Sequence, residues 1–242
     1  MSVVSVDLAY KNYRDVGVAM LEADSGKLRC EFPEILLSGP PDTAQLADYL
    51  NGLCAERGAG VLLINGPQAW KGPDNGLVHS RLCERALNTP AKTGLPEAVK
   101  PANYGPFVRF SVDLFGALQR RDWALYAGLP NVGAQTLFES FPLSAWRSLG
   151  ILGLLAKSKH KPVNLKGRLA RLLGLAPIVC DANPTHDELQ ALVAGLAGVA
   201  YEHNFTPGFA AAGESPSWVD GYAREGFIVN PASADWHKQF SS

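Results

Sequence analysis

Two short apolar runs rich in β-branched residues open the chain, Val3 to Leu8 and Val16 to Leu21, with a polar turn carrying Lys11, Asn12 and Asp15 between them. Runs of this kind on either side of a turn predict a β-hairpin. Lys27 to Leu37 predicts a third antiparallel strand, put at an edge or cut short by Pro33, which has no N–H to give to a ladder. After GPPD, Asp42 or Thr43 caps a helix on which Leu46, Leu50, Leu53 and Cys54 recur at helical spacing until about Gly58. Gly60 to Ile64 is then a continuous apolar run, the pattern of a strand covered on both faces.

Residues 65 to 106 are rich in Gly, Pro and Asn and predict a long functional loop or lid, broken by one short helix around Arg81 to Leu87. A helix is expected from Val108 to about Leu125, then a strand from Gln135 to Ser140 stopped by Pro142. Asn164 to Leu173 reads as a basic amphipathic helix. The last clear helix starts at Thr185, where T-H-D-E forms a capping box with Glu188, and runs to about Tyr201. Its leucine stripe (Leu189, Leu192, Val193, Leu196) and its small-residue side (Ala191, Ala194, Gly195, Gly198) predict cover on both sides. No internal repeat divides the chain, so residues 1–242 are expected to form a single α/β domain.

Composition narrows the class. Hydrophobic residues make up 47% and charged residues 19%, an ordinary globular balance far from that of a disordered chain. No signal peptide and no membrane-length apolar run occurs, and the four cysteines are scattered singly, which leads us to expect a cytoplasmic protein with reduced thiols. The net charge of −1 offers no global attraction for nucleic acid, so any anion-binding surface must be local. Lys157 to Arg171 (KSKHKPVNLKGRLAR) is the one candidate, with six Lys or Arg and no acid.

Three carboxylates stand out. Asp7 interrupts an apolar strand, where an ionised group is costly unless paired or bound to a cation; an Asp capping the following turn would look the same. Glu139 has the same character between Phe138 and Phe141, with an ion pair to Arg147 or a nearby Lys as the structural alternative. If their strands were neighbours, hard oxygen ligands for Mg²⁺ or Mn²⁺ would meet at one sheet edge. Asp187 lies in the first turn of the last helix, where complementing the helix dipole already accounts for it. The five histidines show no HxH or HExxH spacing, and GxSxG, GxGxxG and GxxxxGK[ST] are all missing, which disfavours zinc, α/β-hydrolase, Rossmann and P-loop chemistry. Lys157, Lys159, Lys166, Arg168 and Arg171 are suited to positioning phosphates, although a solvated helix face explains any one of them.

Taken in order, VSVDLAYKN, LLINGP, HSRLCERAL, TLFESFP, KSK with KGRLARLL, HDELQALVAGLAGVAY and EGFIVNP resemble, over nearly the whole chain, the domain-of-unknown-function 429 family of predicted ribonuclease H-like nucleases. The resemblance implies a ribonuclease H-like mixed β-sheet with flanking helices. It also implies an acidic site for Mg²⁺ or Mn²⁺ drawn from the first strand, a later strand and the last helix, at the places held here by Asp7, Glu139 and Asp187. A two-metal hydrolysis of phosphodiesters would follow. Arg81, Arg85 and Glu225 match family positions, for which substrate binding is one role and a structural Arg–Glu pair the other. Two departures remove negative charge from the expected site: Asn65 stands where an Asp is common, and Gln190 where the last-helix Asp is usual. The competing expectations are therefore a metal-dependent nuclease and a non-catalytic module that binds nucleic acid or another phosphorylated ligand through residues 157–171. An actin-like ATPase, which shares the opening hairpin, is disfavoured because such enzymes need two related domains.

Overall fold

The computed structural model describes residues 2–129, 134–155, 157 and 162–240. The expected hairpin forms from β1 (Ser2–Asp7) and β2 (Gly17–Asp24), antiparallel with Asp7 opposite Gly17. β3 (Lys27–Glu31) adds to β2 and stops short of Pro33. Its far side is not an edge, because β7 (Ile178–Cys180) pairs with it in parallel. On the other flank of β1 lies β4 (Ala59–Asn65), parallel, and beyond it β6 (Thr136–Ser140), parallel again. The short β5 (Ala124–Leu125) also pairs with β6. A hairpin of β8 (Phe209–Val219) and β9 (Tyr222–Pro231) completes the order β7-β3-β2-β1-β4-β6-β9-β8. An antiparallel meander with its first strand central, followed by parallel strands on that strand's far side, is the mixed sheet of the ribonuclease H-like fold.

Helices cover both faces, and strand alternation decides what each face sees. Val4, Val6, Val18, Met20, Leu62, Ile64 and Leu137 point to α1 (Thr43–Arg57) and α3 (Gly105–Gln119). Val3, Leu21, Leu63 and Phe138 point the opposite way, to α6 (His186–Glu202). α1 begins on an Asp42 side chain that accepts from the Gln45 N–H and ends at Gly58, which takes the left-handed conformation at φ 59°. α6 carries the expected Thr185–Glu188 capping box. Its small side faces the sheet: a Cβ on Gly198 would strike Leu63, Val3 and Val61, and one on Gly195 would strike Leu21 and Ser5.

Several expectations are corrected. The helix from residue 108 was expected to reach Leu125, but α3 ends at Gln119; a turn through Asp122 at positive φ lets Trp123 donate to Asn51 and residues 124–125 join the sheet. Pro142 does stop β6, and it also opens α4 (Pro142–Ser148), since a proline needs no donor at a helix start. The β8–β9 hairpin was not expected, because FAAAGESPSWV has little apolar alternation; as an outer strand, β8 tolerates Pro216 beside a register shift. The loop of residues 65 to 106 contains the expected short helix, α2 (Leu82–Leu87). α5 (Pro162–Leu175) is the basic helix, and α7 (Trp236–Phe240) packs into the α6 side of the core. No helix among the described residues is long and apolar enough to cross a membrane.

Two glycine substitutions test this packing in opposite directions. Gly198→Val overfills the contact between α6 and β1–β4 and is expected to lower stability by about 2 kcal/mol or more. Gly52→Ala on α1, where an added Cβ meets nothing within 4 Å, is expected to raise it by about 0.5–1 kcal/mol through helix propensity. Urea denaturation of both variants reads the two signs.

Candidate active site

Asp7 ends β1 beside Asn65, the last residue of β4, with which it is in register. Both lie on the face that meets α6, two and four residues beyond inward-facing Ser5 and Val3 or Leu63 and Val61. The Asn65 amide Nδ2 donates a hydrogen bond to Asp7 Oδ1. A carboxylate at position 65 would repel Asp7 from the same place, so the Asn turns a repulsion into an attraction.

Asp187 arrives from above. Gly17 has no side chain, and a Cβ there would collide with the Asp187 carbonyl; the first turn of α6 therefore rests directly on the β1–β2 pair. Lys157 makes an ion pair with Asp187 and reaches Asp15 Oδ1 at 3.0 Å. His186 Nδ1 lies 3.0 Å from Asp187 Oδ1, and its Nε2 lies 2.9 Å from the Leu155 carbonyl oxygen. With an acceptor at each nitrogen the charged form is favoured: the Asp187 contact, and then the Leu155 carbonyl, raise the His186 pKa against its burial. Burial pushes the Asp187 carboxyl up, but His186 and Lys157 outweigh it and hold it below the usual range. Among the described residues no cation pairs directly with Asp7: burial pushes its pKa up to about 7, the Asn65 hydrogen bond opposes this, and the negative Asp187 adds to it. The cleft over these residues measures about 500 Å³, with Tyr10, Tyr104 and Phe107 among its walls.

Glu139 does not join them. One residue earlier than Ser140, which is Asn65's partner, it faces the α3 side of the sheet. There both its oxygens are taken by Arg81, at 2.6 Å each, and Oε2 also accepts from the Gln68 N–H at 2.9 Å. Arg81, only 1% exposed, further pairs with Glu84 at 3.1 Å. The alternative of a partner at Arg147 is likewise excluded, since that side chain donates to the Leu143 and Leu87 carbonyls. Glu225 is buried too and ties loops together, accepting from the Gly72 and Leu82 N–H groups and from Asn75 Nδ2. Gln190, in place of the usual Asp, turns to Trp146 and accepts its indole N–H at 2.7 Å.

Of the remaining candidates, Arg85 is exposed on α2 and Arg168 half-buried on α5, whereas Lys159 lies outside the described residues. His186 and Asp15 were missed. Asp15 had a readable signal, because the turn of a hairpin necessarily lies at the same sheet end as Asp7; His186 had none beyond its place next to Asp187.

The three-carboxylate, two-metal arrangement is thus not gathered, and no cluster of three or more His, Cys, Asp or Glu side chains suited to a metal occurs among the described residues. What converges is an oxygen set of Asp7, Asp187 and the Asn65 amide with a lysine ammonium already lying against the acids. Such a set fits one hard divalent cation that keeps part of its water.

No protein-family model matches the sequence, and no curated protein matches it. Among solved structures, Thermus thermophilus RuvC is similar over 85% of this chain and 98% of its own, with a TM-score of 0.42 and 12% identity. T. thermophilus RuvC in complex with a Holliday junction substrate is similar over 85% and 94%, with a TM-score of 0.38 and 12% identity.

The raised Asp7 pKa gives a signed prediction. The folded protein keeps a proton on Asp7 between its ordinary 3.8 and about 7, so this residue's contribution to stability falls as pH rises across that window and is constant above it. In EDTA, Asp7→Asn is expected to melt higher than wild type at pH 7.5, by up to about 4 kcal/mol, with the gap closing by pH 4. Thermal melts across pH check this, and a gap that widens toward acid would contradict it.

Proposed function

We propose that residues 1–242 form one ribonuclease H-like domain of the kind the ordered sequence segments resemble, and that it hydrolyses phosphodiester bonds of nucleic acid in the Asp7–Asp187 cleft with one Mg²⁺ or Mn²⁺. The observation that supports this best is the meeting of two carboxylates, one at a strand end and one at a helix start, with a lysine ammonium set between acids. Burying a carboxyl without a cation of its own lowers stability, and an arrangement that does so marks a functional site.

Asp7, Asp187 and the Asn65 oxygen would hold the cation, which when bound supplies positive charge to a phosphoryl oxygen and acidifies water. The chain's own groups do the rest. Asn65 orients Asp7, His186 fixes Asp187 from the side, and Lys157, paired with Asp187 and Asp15, would offer its ammonium to a phosphate oxygen beside a bound cation. Lys166, Arg168 and Arg171 on α5 support backbone contacts, and Arg85 is available on α2. Arg81, Glu139 and Glu225 serve the frame rather than the substrate. The second reading, a non-catalytic binding module, is favoured by Lys157 itself, which neutralises Asp187 without any metal.

The test is cleavage of single-stranded, double-stranded, hybrid and junction substrates in Mg²⁺ or Mn²⁺, beside Asp7→Asn. Loss of cleavage by about 100-fold or more in the variant is expected for removal of a group acting on transition-state charge. Absence of cleavage in both proteins, or equal cleavage in both, would favour the binding module. Asn65→Asp is separately expected to tighten Mn²⁺ binding, because it adds a charged oxygen ligand next to Asp7; calorimetric titration reads it, and an unchanged affinity would count against this placement of the cation.

A further inference from the structure

Beside the carboxylate cleft lies a second cavity of about 200 Å³; the two share Tyr104 and Phe107 as walls, and Asn65, which bonds Asp7, lines the second. Its contents differ sharply in chemistry from the cleft. Two residues that line it, Thr93 and Ser140, carry buried hydroxyls that have no hydrogen-bond partner among the described residues. Each belongs to a residue that is only 1% exposed. A buried hydroxyl without a partner is costly, about 1–3 kcal/mol, and two lining one small cavity call for something that bonds to both.

The rest of the lining says what that is. Arg81 lies in the wall, but Glu139 and Glu84 occupy its guanidinium, so the described lining offers no unpaired cation to a phosphate. Phe141, together with Tyr104 and Phe107, supplies flat apolar surface. A neutral, planar group with polar edges satisfies both features, stacking on the rings and bonding to the hydroxyls at its rim. We infer that this cavity takes one nucleobase of the bound strand, turned out of its stack while the adjoining phosphate lies against Asp7 and Asp187. The position of Ser140 supports the coupling, since it follows Asn65 in register, as Asn65 follows Asp7, in one row across three strands. The inference rests on the nuclease reading for the origin of the base, but not for the existence of the pocket.

Equilibrium dialysis in EDTA with the common nucleosides, and with ribose 5-phosphate as the base-free probe, tests the pocket without cleavage. At least one nucleoside is expected to bind saturably and ribose 5-phosphate not to bind. Ala91→Phe, which fills the cavity from a half-buried wall position, is expected to weaken nucleoside binding at least about tenfold, and Thr93→Val to weaken it several-fold by removing one hydroxyl at nearly constant volume. No nucleoside binding, or binding unchanged in Ala91→Phe protein that melts like wild type, overturns the inference. A second arm fixes the source of the base: in a single-stranded oligonucleotide scanned with one abasic residue, one position is expected to lower affinity at least about tenfold. Uniform affinity along the scan overturns the strand-base assignment. Nucleoside binding without metal-dependent cleavage would sink the nuclease reading alone, and cleavage without nucleoside binding this inference alone.

Discussion

A helix can deliver a carboxylate to the end of a neighbouring strand only if its backbone lies almost on the sheet, and in this protein that closeness rests on missing side chains. Gly17 on β2 and Gly195 and Gly198 on α6 leave no Cβ where one would collide. Asp187 meets Asp7 because the first turn of α6 abuts Gly17, and the remaining α6 turns follow the sheet through the small residues of its inner side. The apolar outer side is then covered by α4, α5 and α7, which is why nearly the whole of α6 is buried.

Charge in the cleft is balanced by side chains that the fold brings there. Asp187 has His186 and Lys157; Asp15 shares Lys157; Asp7 has an amide. The three acids are thus unequal, with Asp187 held ionised and Asp7 held close to neutral pH by its burial. Under the proposed function, a bound cation would favour the ionised form of Asp7 and compete with Lys157 for Asp187.

On the opposite face a different ionic cluster does structural work. Arg81, Glu84 and Glu139 form a fully buried set, and breaking a pair of this kind by removing one partner is typically worth about 3–5 kcal/mol. Around it, Glu225 gathers N–H groups from two stretches of the long loop, and Lys71 donates to the Gly72 and Pro73 carbonyls. The loop of residues 65 to 106 is therefore pinned by ionic and polar bonds where it lacks an apolar stripe, and the cavity beside Asn65 owes its shape to that pinning.

The hairpin, the capped helix after Asp42, the buried strand before Asn65 and the capping box at Thr185 were all legible in the sequence, because each rests on neighbours a few residues away. The succession of hairpin, helix and buried strand along the chain likewise followed from the pattern of runs, whereas which strands became neighbours did not. Local pattern is silent on the strands without alternation, β8 and β9, whose pairing is supplied by one another. The same divide runs through the site. Asp7 could be singled out from its apolar surroundings alone, since a carboxylate in a strand carries its cost wherever the strand goes. Glu139 looked identical by that rule, and only the tertiary structure separated them: the register between β4 and β6 puts Glu139 one residue out of phase with Asn65, and a one-residue shift in a strand reverses the face. That Asp187 comes to lie beside Asp7 was decided in the same way, by a glycine 170 positions earlier in the chain that lets its helix come close enough.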